Sequence, residues 1–395
     1  MSGATLKQTF SYHNKVVVAP MVRVSTLSFR LLCLGYGADM AYTEENVDRK
    51  IIASRRSCNE KLDCVEYLSS KSPFNAFFQT RSVVDTPMSF QIGTGDAQLA
   101  LQACQVVAPD VSCFDVNMGC PKHFSVHGGM GAALLSQPQT VHEILTTLVG
   151  AFPDKHITCK IRLLERFEDT VDLVRMIRGT GVSAIGVHGR YIPQRPREPA
   201  HHDQLRELAS LFDQSEVPFI ANGDVFKHED IDRIRATTGM SSVMIARGAM
   251  WNPSIFRDPA RGPEVPRYCV GLQFLNLSEY FEQNFKLTKY TLLRMMEDTA
   301  TPLHQALQRC KTAADLRSCL IDGLIENNLK PIPLSEVFEE DFVRRLGSSA
   351  WHFDGQVEEL YQAKMREIQE VVERRAAIQL QRKRLVEEAV EEGVM

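Results

Sequence analysis

Apolar residues recur along this chain as short β-rich runs, separated by stretches in which they fall three or four positions apart. The runs predict strands over residues 16–20, 40–43, 89–93, 113–117, 157–163, 184–189, 218–222 and 242–247. The stretches between them predict amphipathic helices, among them 96–107, 141–149, 170–178, 202–212 and 228–236. Such alternation implies parallel strands covered by helices. Eight units over roughly 250 residues suit a (β/α)8 TIM barrel, although an open doubly wound sheet shares the same periodicity.

Polar residues decide between the two. Parallel strands buried on both faces should read as continuous apolar runs. Here Gln91, Asn117, Lys160, His188, Asn222 and Arg247 each stand at or near the end of a strand. Because side chains alternate, Lys160 shares a face with Thr158 and Arg162, while Cys159 and Ile161 face the helices. An unpaired buried Lys or His costs roughly several kcal/mol, so these groups require a polar ligand or mutual pairing. Charges gathered at one end of the strands are the mark of a barrel's active mouth.

The texture changes after residue 250. Residues 252–266, rich in proline and turn formers, predict a linker. Residues 273–296 and 302–329 read as amphipathic helices without strand signal, and 357–392 as a long charged helix. The expected organisation is a barrel over 1–260, a smaller all-helical domain over 261–350 and a charged C-terminal helix over 351–395.

Composition narrows the function class. A formal net charge of -4 excludes a uniformly basic nucleic-acid binder but not a local basic face. Ten cysteines without a C-x-x-C pair or regular spacing indicate neither a metal site nor a disulfide framework. No segment is long and apolar enough to cross a membrane, and residues 1–10 lack a signal core, so a reduced, cytoplasmic protein is expected.

One cysteine stands apart. Asn117-Met118-Gly119-Cys120-Pro121 follows a strand directly, and Pro121 keeps Cys120 out of helical geometry, so a fixed turn presents the thiol. The glycine-rich stretch 123–131 after it has the composition of a mobile active-site loop. Asn222-Gly223-Asp224 and Ala246-Arg247-Gly248 follow the last two strands, the usual phosphate site of a barrel. Lys160 admits three readings: a solvent-facing edge residue, a Schiff-base nucleophile, or a cation beside an anionic cofactor. Gly93-Thr94-Gly95-Asp96 imitates a dinucleotide fingerprint, but Gln98 fills the third glycine position and Asp96 reads as a helix N-cap. Arg190, Arg195 and Arg197, with Tyr191 among them, crowd one loop, while Arg162 and Arg166 flank another strand exit. Such a rim suits a phosphate backbone with an unstacked base, or an ordinary solvated loop.

Taken together, Ala19-Pro20-Met21-Val22, Asp115-Val116-Asn117-Met118-Gly119-Cys120-Pro121, Gly128-Gly129-Met130-Gly131, Cys159-Lys160-Ile161-Arg162, Val187-His188-Gly189-Arg190, Ala221-Asn222-Gly223-Asp224 and Ala246-Arg247-Gly248-Ala249-Met250 resemble the tRNA-dihydrouridine synthases. The detail is most similar to the eukaryotic class that modifies position 20 of tRNA. The resemblance implies an FMN-binding barrel and a helical tRNA-binding domain. It implies FMN contacts at Pro20, Met21, Val22, Gln91, Lys160, His188, Asn222, Gly223, Asp224, Ala246 and Arg247, and Cys120 as proton donor. NADPH or NADH would be the reductant. Asn117, Arg162, Arg190, Arg195 and Arg197 are the expected tRNA contacts. A flavin barrel acting on a free pyrimidine, and a non-catalytic RNA-binding protein of the same fold, are the rival readings.

Overall fold

A computed structural model describes residues 10–70, 72–347 and 352–391. Twelve strands run in chain order: β1 Val16–Val18, β2 Met40–Tyr42, β3 Asn46–Val47, β4 Ser54–Asn59, β5 Cys64–Ser69, β6 Ser72–Thr80, β7 Met88–Gly93, β8 Cys113–Asn117, β9 His156–Leu163, β10 Ala184–Tyr191, β11 Phe219–Asn222 and β12 Ser242–Ile245. Eight of them, β1, β2 and β7–β12, pair in parallel and close on themselves through β1–β12 and β2–β7. The fold is therefore the (β/α)8 barrel rather than the open sheet. β3 adds a short parallel pairing to β7 at the rim.

Alternation along the strands builds the barrel in layers. Val17, Met40, Cys113, Ala184, Ile220 and Met244 form an apolar floor with Tyr12. Above them the inward column of β8 continues as Asp115 and Asn117, and that of β9 as Thr158, Lys160 and Arg162. The outward residues Phe114, Val116, Cys159 and Ile161 are fully buried in the core beneath the helices. An apolar floor under a polar mouth follows from this single rule. Helix Ala97–Val107 starts as expected, with the Asp96 side chain accepting from the Leu99 N–H at 2.8 Å.

The sequence pattern contained no signal for the excursion between β2 and β7. There β4, β5 and β6 form a separate antiparallel sheet. Arg56 ties it to the barrel through Asp110 at 2.6 and 2.7 Å, and Arg30 and Asp85 form a fully buried pair near its edge. The eighth strand is shorter than expected: Arg247 opens helix Arg247–Trp251 instead of ending β12.

Residues 252–266 are not a loose linker. They form two 3-10 turns with Ile255 and Phe256 buried, and Asn252 pins the segment by donating to the Val265 carbonyl at 3.0 Å. The expected helix over 273–296 is two helices, Arg267–Tyr280 and Phe285–Met295. Glu282 takes a left-handed φ of 49° between them, and Asn284 caps the second. Helices Pro302–Arg309 and Ala313–Glu326 follow, the latter opened by a Thr312–Asp315 capping box. Helix Arg267–Tyr280 is buried almost all round because it lies between its neighbours and barrel helix Leu27–Gly35. Ser28 donates to the Leu277 carbonyl and Phe29 meets Phe274 edge to face across that seam.

The last helix, His352–Glu391, docks through buried Val357 and Tyr361, and Lys364 bonds Ser318 at 2.8 Å. Beyond Met365 its apolar residues Ile368, Val371, Val372 and Ile378 are exposed. Among the described residues no helix is long and apolar enough to cross a membrane.

Candidate active site at the barrel mouth

The thiol loop is held from below. Asn117, the last inward residue of β8, accepts the N–H groups of Gly119 and Cys120 at 3.1 and 3.2 Å. Arg162 clamps the same turn by donating to the Gly119 carbonyl at 2.8 Å and reaches the Tyr191 carbonyl at 3.1 Å. Cys120 is therefore fixed at the mouth and partly exposed. The 123–131 stretch is not an open loop. It carries a short helix, His123–His127, and Gly129 and Gly131 take φ of 72° and 60°. A side chain on Gly131 would lie 2.7 Å from the Cys120 carbonyl, so only glycine lets the loop fold this close.

Below the thiol lies a buried polar layer. Gln91 and Thr158 donate to the two oxygens of Asp115 at 2.8 and 2.7 Å. Burial pushes the Asp115 carboxyl up to about 6, against the pull of Gln91, Thr158 and Lys160. Burial, reinforced by Arg162, brings the Lys160 ammonium down to about 8, while Asp115 and Cys120 work the other way. Lys160 is paired with Gly186 and Asn117 in the central register of the barrel, which removes the edge-strand reading. Its ammonium makes no hydrogen bond or ion pair among the described residues, so it is available to an anionic group in the mouth.

The opposite side of the mouth is an anion cradle of about 200 Å³ lined by Arg162, His188, Arg190, Gly223, Asp224 and Arg247. Arg190 and Arg247 both donate to one Asp224 oxygen, at 2.5 and 2.6 Å, and the other oxygen accepts the Ala200 N–H at 2.7 Å. Burial opposes ionisation of Asp224, yet the bonds from Arg190 and Ala200 hold it below the usual carboxylate range. Burial and then Lys160, Arg162, Arg190 and Arg247 drive His188 well below the ordinary imidazole value. His188 is thus neutral and lies 3.1 Å from the Arg190 guanidinium. Four guanidinium charges, Arg195 being the fourth, against one carboxylate leave the cradle positive. Gly223, at φ 135°, would place a side chain 2.8 Å from Ala200, and Gly248 one 2.5 Å from the Val225 carbonyl. Both loops need glycine to approach closely, as a backbone phosphate cradle does.

The expected residues are placed as follows. Gln91, Asn117, Lys160, His188 and Asn222 converge on the mouth from adjacent strand ends. Pro20, Met21 and Val22 form the turn after β1, where the Met21 N–H is already held by Ser25 at 3.0 Å. Ala246 and Arg247 line the cradle beside Asn222, whose amide donates to the Met244 carbonyl. Arg195 and Arg197 are exposed on the rim. Arg190 does not join them: it is 3% exposed and committed to Asp224 and the carbonyls of Glu198 and Pro196. Alternation explains this, since Arg190 shares the inward face of β10 with His188.

Sequence reasoning passed over Glu45. Its carboxylate accepts from the Ser125 hydroxyl at 3.2–3.3 Å and is approached by the Asn117 and Cys120 side chains. The position of Glu44-Glu45 after the second barrel strand was the one available hint, and it did not separate Glu45 from a solvated carboxylate.

A closed parallel barrel with a positive phosphate cradle, a buried free lysine and a presented thiol at one mouth defines a cofactor-dependent barrel enzyme. The chain belongs to the dihydrouridine synthase (Dus) family, whose model matches residues 17–330. It is 38% identical over 315 residues to the tRNA-dihydrouridine(20) synthase of Schizosaccharomyces pombe, covering 78% of this chain and 65% of that protein. It is 34% identical to the tRNA-dihydrouridine(20) synthase of Saccharomyces cerevisiae, covering 78% and 83% of the two chains. The human tRNA-dihydrouridine(20a/20b) synthase-like protein is 31% identical, over 64% of this chain and 73% of its own length.

Proposed function

We propose that this chain reduces the C5–C6 double bond of a uridine in tRNA, at position 20 of the D-loop, to 5,6-dihydrouridine. FMN is the resident cofactor and NADPH or NADH its reductant. The residues present suit that cofactor: the cradle around Arg190, Asp224 and Arg247 would take its phosphate, and the Lys160 ammonium, unpaired among the described residues, would serve an anionic group on its ring. The chemistry a reduced flavin would supply when bound there is hydride delivery, to C6 of the uracil. Cys120 gives its thiol proton to C5 from the other side. Asn117 and Arg162 fix the turn so that the thiol keeps its place.

The reading rests above all on Cys120 standing over the same mouth as Lys160 and the anion cradle. Substrate access supports it. A cleft of about 660 Å³ lies between the β4–β6 sheet, the loops after β1 and β2, and the start of helix Phe285–Met295. Lys50 lies 4.3 Å from the Phe77 ring on its wall, and Gln79, Lys286 and the carboxylates of Glu44, Glu66 and Glu282 make the lining polar and of mixed charge. An internal uridine reaches a barrel mouth only when extruded from its stack, and such a cleft accommodates RNA around the extruded base. Residues 282–287, at the turn into helix Phe285–Met295, form the second wall, and the helices from Arg267 onward are the proposed tRNA-binding domain.

Replacement of Cys120 is the test. Cys120→Ala should retain its flavin and be reduced by NADPH, yet form dihydrouridine in unmodified tRNA about 10²–10⁴-fold more slowly, the usual worth of a general acid. Dihydrouridine is counted by mass spectrometry of digested tRNA, with free uridine as a parallel substrate. A wild-type rate would make Cys120 structural, and equal turnover of free uridine would favour the small-molecule reading.

A further inference from the structure

Glu45 lies outside the residues assigned above to the cofactor and the RNA. It lies just beyond β2, and its neighbour Glu44 turns the other way, into the cleft, where its carboxylate accepts the Arg23 N–H at 3.0 Å. Glu45 instead enters the underside of the thiol loop. Gly93 makes room for it, since a side chain there would lie 2.6 Å from Glu45 Oε1. Ser125 donates to the carboxylate at 3.2–3.3 Å, and Ser125 and Cys120 are themselves neighbours around Gly131, whose added Cβ would lie 3.1 and 3.2 Å from theirs. The Cys120 and Asn117 side chains both approach the same carboxylate: burial pushes Glu45 up, and Ser125, Asn117, Cys120 and Lys122 pull the other way, toward its charged form.

The other charges facing the thiol are cationic. Lys160 and Arg162 act on it from β9, and Lys122, which follows it in the loop, acts on Glu45. His123 and His127 stack on each other at the exposed side of the short helix, and Asp115 is engaged by Gln91 and Thr158 below. Cations favour the thiolate, which is useless as an acid. We propose that Glu45 is the positioning residue that keeps the proton on Cys120: its carboxylate, oriented by Ser125, opposes ionisation of the adjacent thiol against Lys160, Arg162 and Lys122. The inference rests on the proposed role of Cys120. During turnover the S–H bond breaks as C5–H forms, and the sulfur regains a proton from water. Glu45 takes part in no electron transfer.

The experiment uses the flavin-loaded full chain and needs no tRNA, so it stands apart from the activity test. Alkylation of Cys120 by iodoacetamide is followed by peptide mass spectrometry from about pH 6 to 9, with exposed Cys58 as reference. Glu45→Gln should speed Cys120 alkylation at neutral pH by about tenfold, the effect of one unit of thiol acidity, and move the rising limb to lower pH. Glu45→Asp should restore most of the wild-type profile. Ser125→Ala should shift it in the same direction by less, and it serves as the test if Glu45→Gln does not fold. A Glu45→Gln profile superimposed on wild type overturns the proposal, as does equal acceleration at buried Cys104, which would signal a loosened fold.

Discussion

Lys160 shows how burial alone can prepare a residue for a ligand. Its ammonium is held down to about 8 by burial and Arg162, so the free protein loses that charge near pH 8. An anionic ring edge binds the charged form, so cofactor affinity should be flat between about pH 7 and 8, above the Asp115 titration, and weaken as pH rises further. Flavin titration monitored by fluorescence across that range checks this. Lys160→Met should bind weakly and without the inflection; an unchanged inflection would assign it to another group. The sign for stability is opposite to that of a paired lysine. Because the folded value lies below the unfolded one, the cofactor-free protein should gain stability relative to Lys160→Met between about pH 8 and 10.4. Thermal unfolding of both proteins over that window measures the difference. Gln91, Asn117, Lys160 and His188 were legible from sequence because a polar residue at the end of an apolar strand is conspicuous. Glu45 was not, because a carboxylate in a polar stretch looks solvated until Gly93 and Ser125 are brought around it.

At the scale of elements, the barrel and its helical neighbour meet at helix Leu27–Gly35 and again where helix Arg247–Trp251 packs on helix Phe285–Met295. Gly35, at the end of helix Leu27–Gly35, would place a side chain 2.5 Å from the ring of Phe338. That ring is buried between Tyr36 and Phe342, with edge contacts at 5.3 and 5.5 Å, and has little freedom to withdraw. Gly35→Ala should therefore destabilise the full chain by about 1–3 kcal/mol, the usual result of overpacking, as measured by urea unfolding. An unchanged midpoint would show that Phe338 relaxes freely. The barrel strands were legible because each carries a continuous apolar run. The antiparallel β4–β6 sheet was not: β4 is almost wholly polar, with Arg55, Arg56 and Asn59, and Glu66 and Gln79 interrupt the apolar residues of β5 and β6, which become strands by pairing with each other. The break at Glu282 was equally silent, because nothing in the local pattern forbids a helix from continuing there.

Across the whole molecule, positive charge is divided between two tasks. Arg190 and Arg247 face inward on Asp224, whereas Arg195 and Arg197 face solvent. Removing the charge of Arg195 and Arg197 together should weaken tRNA binding and lower the salt slope by up to about two, since each phosphate contact releases roughly one counterion. Filter binding across a salt series reads the slope, and any loss of flavin should follow Arg195 alone, because Arg195 also lines the cradle and Arg197 does not. Arg190→Met should show the reverse pattern, losing flavin with little change in slope. An unchanged slope after the double replacement would move the RNA contact to the helices beyond Arg267.

The sequence by itself determined the alternation of strands and helices, the end of the barrel at which polar groups collect, and the thiol that stands there. These are local properties: a two-residue period, a proline after a cysteine and a glycine pair after a strand act within a few positions of themselves. Only the tertiary structure decided that the sheet closes, that Arg190 serves the interior rather than the rim, and that Glu45 meets Cys120. Each of those depends on residues tens of positions apart sharing one buried space, where packing and charge neutralisation, not local pattern, set the outcome.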